Sequence, residues 1–70
     1  MNDLNRIMTQ NTETKHELEL RAKVWQARAI ETYETAKVAT NREDMHYFEH
    51  LATDYAVQAS KLYQQAAATS

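Results

Sequence analysis

Residues 45–66 read MHYFEHLATDYAVQASKLYQQA, and apolar or small side chains recur through them at spacings of three and four. The members of this seam are Met45, Phe48, Ala52, Tyr55, Ala59, Leu62 and Ala66. Alternating spacings of three and four are typical of a helix that packs along another helix, as in coiled coils. The sequence therefore predicts an amphipathic helix over residues about 42–67.

A preceding helix is predicted over residues about 14–39. It begins with the capping-box sequence Thr14-Lys15-His16-Glu17, in which the threonine and glutamate side chains accept hydrogen bonds from each other's backbone N–H groups. Glu17 and Arg21 are four residues apart, in the order that favours an ion pair on a helix. Apolar or small residues then follow at helical spacing, at Leu18, Ala22, Trp25, Ala29 and Ala36.

A break between the helices is predicted at residues about 40–41. Thr40-Asn41-Arg42-Glu43 matches a second capping box. Asn41 also tolerates the left-handed conformation that often ends a helix, which matters in a chain without glycine. One unbroken helix is the alternative, since neither glycine nor proline interrupts the sequence. The matched lengths of the two segments favour a hairpin.

Alanines recur every seven residues in both segments, at Ala22, Ala29 and Ala36 and again at Ala52, Ala59 and Ala66. Folding at the break places Ala29 opposite Ala52, and such small side chains let two helices approach closely. The same fold brings Trp25 near Tyr55. The predicted class is all-α, an antiparallel two-helix hairpin with an alanine-rich coiled-coil seam. Its expected core is Leu18, Ala22, Trp25, Ala29, Ala36, Phe48, Ala52, Tyr55, Ala59 and Leu62.

The apolar arc of the second helix is wider than one partner helix can cover, about 160° against the usual ~100°. The chain has 70 residues and no cysteine, so its own core is small and disulfides cannot support it. We therefore expect a homodimer that forms a four-helix bundle, a pattern that resembles small plasmid-encoded bundle proteins. Whether the arc serves self-association or a different partner stays open.

Residues 1–13 are predicted to be an N-terminal arm or short helix, and residues 14–70 to be the hairpin. Whether the arm extends the first helix stays open. The sequence contains no apolar run close to the about 20 residues that span a bilayer, so neither a transmembrane segment nor a secretory signal is expected. Cytoplasmic residence is the simplest expectation for a cysteine-free chain.

Several chemical functions are disfavoured by composition. Without glycine or cysteine there is no phosphate-binding glycine loop and no thiol nucleophile. The formal net charge is −2, and the cations alternate with acids, so nucleic-acid binding is not favoured. His46 and His50, with Glu43 and Asp54, have the spacing of a zinc site, but a solvated helix face explains the same residues. We expect no enzyme activity, no metal and no cofactor.

Binding of another protein is the expected function. Tyrosine and arginine are favoured at binding hot spots, and they cluster near the predicted hairpin tip. The predicted partner-binding residues are Arg42, His46, Tyr47, His50, Leu20 and Ala27. In size and helix pattern the chain resembles phage-encoded inhibitors and small secretion co-chaperones, a resemblance that transfers no functional residue. We expect a helical-hairpin inhibitor or adaptor; a co-chaperone or a bundle-type RNA-binding regulator is the alternative.

Overall fold

The computed structural model describes residues 13–69, so the predicted arm lies outside the described residues except for Glu13. Two helices form the described part of the chain: α1 spans Lys15–Lys37 and α2 spans Arg42–Ala68. They pack against each other as a hairpin, which confirms the predicted all-α class and hairpin. The described residues therefore form a single layer of two helices, the longer of which has 27 residues and is about 40 Å long. Neither described helix combines the length and apolar character of a membrane span.

The start of α1 confirms the first capping box. The Thr14 hydroxyl accepts a hydrogen bond from the Glu17 backbone N–H at 3.1 Å, and the Glu17 carboxylate accepts one from the Thr14 backbone N–H at 2.9 Å. Among the described residues, Arg21 is paired with Glu13, so the expected pair with Glu17 is wrong. The reason is that the Glu17 carboxylate points back toward the cap, away from the next helical turn.

The connection between the helices begins earlier than predicted, because α1 ends at Lys37. The backbone N–H of Val38 donates to the Thr35 carbonyl at 3.3 Å, and that of Ala39 donates to the Ala36 carbonyl at 3.2 Å. These bonds span three residues, which tightens the last turn and ends the helix. Within the described residues no backbone has a positive φ.

The second helix start corrects two predictions. Asn41 is extended, with φ −136° and ψ 162°, so the predicted left-handed conformation is wrong. The predicted capping box at Thr40 is also wrong by one residue, because Asn41 is the N-cap. Its side-chain oxygen accepts from the Asp44 backbone N–H at 2.8 Å, and its amide donates to the Asp44 carboxylate at 3.1 Å. Asparagine is a stronger N-cap than threonine, which accounts for the shift.

The core between the helices consists of alanine and leucine. The buried residues are Leu18, Ala22, Ala29, Ala36, Ala52, Ala59, Leu62 and Ala66. Seven of the ten expected core residues are therefore buried, whereas Trp25, Phe48 and Tyr55 are only half-buried. Closely approaching alanine stripes leave no room for rings between the axes, so the aromatic side chains lie on the flank. The Trp25 and Tyr55 rings meet there with centroids 5.5 Å apart, which confirms the predicted contact.

Candidate protein-interaction surfaces

One broad side of the hairpin carries the half-buried aromatic residues. The Arg28 guanidinium lies 4.9 Å from the centroid of the Trp25 ring, which in turn contacts Tyr55. Phe48 and Leu51 are also half-buried and precede Tyr55 by seven and four residues, so they continue this side toward the hairpin tip. We call these five residues the aromatic face. Tryptophan, tyrosine and arginine are the side chains most often found at binding hot spots.

The other broad side is a shallow groove, which we call the groove face; its residues are Gln26, Ile30, Tyr33, Ala56, Ser60 and Tyr63. Two hollows lie along it, with volumes of about 520 and 570 Å³. Both are lined by Ala29, Ile30 and Ala56, so they form one trough along the two helices. The Tyr63 hydroxyl donates to the Gln26 side-chain oxygen at 3.0 Å and ties the helices together at one end of the trough. An open trough of this shape fits a helix better than a compact ligand.

Four of the sequence-predicted partner residues lie near the hairpin tip. Arg42, His46, Tyr47 and His50 are all exposed in the first turns of α2, and we call them the tip surface. Tyr47 is 62% exposed, and its ring stands edge-on to Phe48 at 5.2 Å between centroids. The imidazole Nδ1 of His46 lies 3.4 Å from a Glu49 carboxylate oxygen.

The other two predicted partner residues lie elsewhere. Leu20 and Ala27 are exposed on α1, and each is about half a helical turn from the buried alanines of that helix. They therefore face away from α2, whereas the tip surface lies on α2 itself. Leu20 and Ala27 therefore do not share a surface with the four residues of the tip surface. The predicted partner-binding residues lie on two separate surfaces.

Several charged side chains on these surfaces have contacts within the hairpin that account for their positions. Hydrogen bonds from the Thr14 backbone and then its side chain lower the pKa of Glu17, which is a helix-cap effect on an exposed carboxylate. Within residues 13–69, no group of three or more His, Asp or Glu side chains could hold a metal ion. Three cations have intramolecular partners: Arg21 pairs with Glu13, Arg28 lies over Trp25, and Lys37 lies over Tyr33.

The groove face was missed by the sequence reasoning, although a signal for it exists. Gln26, Ile30, Tyr33 and Lys37 recur at spacings of four, three and four, which is a second helical stripe beside the alanine stripe. Gln26 and Lys37 are polar, so the stripe is less apolar than the alanine stripe beside it. The spacing of Ile30 and Tyr33 marks them as neighbours of the seam and not of the outer surface.

No protein-family model matches the chain, and neither a curated protein nor a solved structure matches it.

Proposed function

We propose that this chain is a non-catalytic protein-binding module, a small helical-hairpin inhibitor or adaptor that docks on a host or regulatory protein. The observation that carries this proposal is that the buried side chains are small while many large apolar side chains are exposed. Six of the eight buried residues are alanines, while the exposed large side chains are Leu20, Val24, Ile30, Tyr33, Val38, Tyr47, Val57 and Tyr63. Ile30, Tyr33 and Tyr63 lie along the groove face, and contiguous exposed apolar side chains mark binding sites for other proteins.

The proposal includes a homodimer in the form of a four-helix bundle. Burying a large apolar side chain completely contributes about 1.5–3 kcal/mol, and this single-layer hairpin leaves its aromatic side chains half-covered at best. A second hairpin stacked on the groove face would cover the exposed side chains of Ile30, Tyr33 and Tyr63. Cytoplasmic residence stays a prediction from the cysteine-free sequence.

The tip surface is the proposed contact with the target protein. Tyr47 presents most of its ring to solvent, and its edge-on contact with Phe48 restricts the orientation of the ring. An exposed tyrosine whose ring is held against Phe48 supplies large contact area at a small entropic cost. The mechanism is docking of a helix face against a groove or flat surface of the target.

The test is Tyr47→Ala compared with Val24→Ala, which truncates an apolar side chain on α1 that is 51% exposed, against 62% for Tyr47. The target is first isolated by affinity capture with the wild-type chain, then purified and titrated by calorimetry. Tyr47→Ala should weaken the affinity at least about tenfold, equivalent to about 1.4 kcal/mol, with unchanged helicity. Val24→Ala should bind like the wild type.

Two results contradict the proposal. If Tyr47→Ala binds the target with unchanged affinity, the tip surface is not the contact with the target. A purified chain that is unfolded without its target would favour a co-chaperone, whose apolar surface would be covered by its client protein.

An RNA-binding regulator would bind RNA with an affinity that falls steeply as the salt concentration rises. The positive charges are scattered, and Arg21, Arg28 and Lys37 already contact other side chains of the chain, so they give this alternative no support.

A further inference from the structure

The groove face has the shape of a surface that fits itself. Ile30 and Tyr33 form a ridge on its α1 side and are 56% and 51% exposed. Small side chains, Thr53, Ala56 and Ser60, form the hollow on its α2 side. A two-fold axis parallel to the helices exchanges the two sides, so each ridge would lie over the hollow of the other copy.

The charges of the groove agree with the same symmetry. Its central lining is uncharged, and the charged residues that line it are at the tip end, namely Glu34 and Lys37 on α1 and Glu49 on α2. The two-fold axis brings Lys37 of each copy opposite the partner subunit's Glu49. Opposite charges at these two positions fix the orientation of the two copies, and an uncharged centre avoids the cost of burying ions.

The area is sufficient for a stable dimer. The two helices have 23 and 27 residues, so they are about 35 and 40 Å long, and two packed helices with their side chains are about 20 Å wide, which gives a projected area of about 750 Å². Stable interfaces bury about 800 Å² on each partner, so the two faces have to overlap along their full length. Stacking also converts one helical layer into two, and each α1 would run antiparallel to the partner subunit's α2, as in up-and-down bundles.

We propose that a second copy of this chain covers the groove face, with both hairpin tips at the same end and Ile30 of each copy seated against the partner subunit's Ala56. This inference rests on the proposed dimer and names its interface and orientation. The aromatic face stays uncovered in this arrangement, whereas Arg42 and His46 lie at the tip end of the interface, because they precede the groove residues Glu49 and Thr53 by seven positions. A bundle of this kind would carry two tip surfaces, one for each chain.

The absence of cysteine from the sequence permits a direct test by disulfide cross-linking. Ile30→Cys and Ala56→Cys chains are prepared separately, mixed and oxidised, and the products are identified by mass. The mixed disulfide between the two variants should form on the order of a hundredfold faster than any disulfide of the Val24→Cys control. The reason is that effective concentrations within a complex reach the millimolar range. Val24 is on the same helix and is 51% exposed, so it matches Ile30 in accessibility.

Light scattering of the wild-type chain completes the experiment, with an expected mass of twice the 8.1 kDa chain. Rapid Ile30→Cys self-pairing would put the tips at opposite ends and overturn the orientation. If light scattering gives the mass of a dimer but Ile30→Cys and Ala56→Cys cross-link no faster than the control, this interface is wrong and the proposed dimer stands. A monomer mass would overturn both the interface and the dimer, and the target-binding test of Tyr47 would still decide the rest of the proposed function.

Discussion

Single side chains decide where the helices begin. Asn41 starts α2 because its side-chain oxygen satisfies the Asp44 backbone N–H, which has no partner within the helix. Thr40 is one residue too early to do the same. The first turn then places Glu43 and Asp44 where the helix dipole favours negative charge. The position of the hairpin turn therefore depends on one amide side chain.

Asn41→Ala should lower the free energy of unfolding by about 1 kcal/mol, the usual contribution of an N-cap. Thr40→Ala, the matched control, should change it by no more than about 0.5 kcal/mol, because exposed positions without special contacts are nearly neutral. Urea denaturation of both variants measures the difference. If Thr40→Ala lowers the free energy of unfolding as much as Asn41→Ala does, or more, then Asn41 is not the N-cap of α2.

At the scale of the helices, the alanine stripes set how closely α1 and α2 approach. Ala59 and Ala29 are buried where a larger side chain has no space, whereas Ala27 faces solvent on the outer side of α1. The close approach excludes Trp25 and Tyr55 from the seam and leaves their rings in contact on the flank. The same feature therefore makes the core small and the surface apolar.

Ala59→Leu should destabilise the hairpin by about 1–3 kcal/mol, because overpacking a tight core forces the helices apart. Ala27→Leu is the control; it adds the same side chain at an exposed position where leucine and alanine have similar helix propensity. Thermal and urea unfolding of both variants give the comparison. A neutral Ala59→Leu would show that the two stripes do not pack as described.

The sequence predicted the helices, the hairpin and the alanine core, because a seven-residue repeat and a capping box are local signals. Periodicity could not tell how far each aromatic side chain is buried, because burial depends on the separation of the axes. Phe48 was expected in the core for this reason. The end of α1 was misplaced by two residues because Val38 and Ala39 continue the helical pattern while their backbone turns away. The groove face was not predicted, because its α1 stripe mixes apolar Ile30 and Tyr33 with polar Gln26 and Lys37.

For the whole molecule, the balance between a thin core and wide apolar surfaces predicts that stability depends on protein concentration. If the folded form is a dimer, each tenfold dilution should reduce the free energy of unfolding by about 1.4 kcal/mol, since dilution favours the dissociated, unfolded chains. Thermal melts at several concentrations, followed by circular dichroism, measure this dependence. A melting temperature that does not change on dilution would contradict the dimer.

The connection between α1 and α2 has one more consequence. Its described backbone has negative φ throughout, so a few dihedral changes would let the chain run straight from one helix into the next. Because the alanines repeat every seven residues on both sides of the connection, α2 of one molecule can pack on α1 of another with the same contacts. Concentrated protein that refolds is thus exposed to domain swapping, in which two chains exchange helices. The N-cap bonds of Asn41 are a local barrier to that exchange.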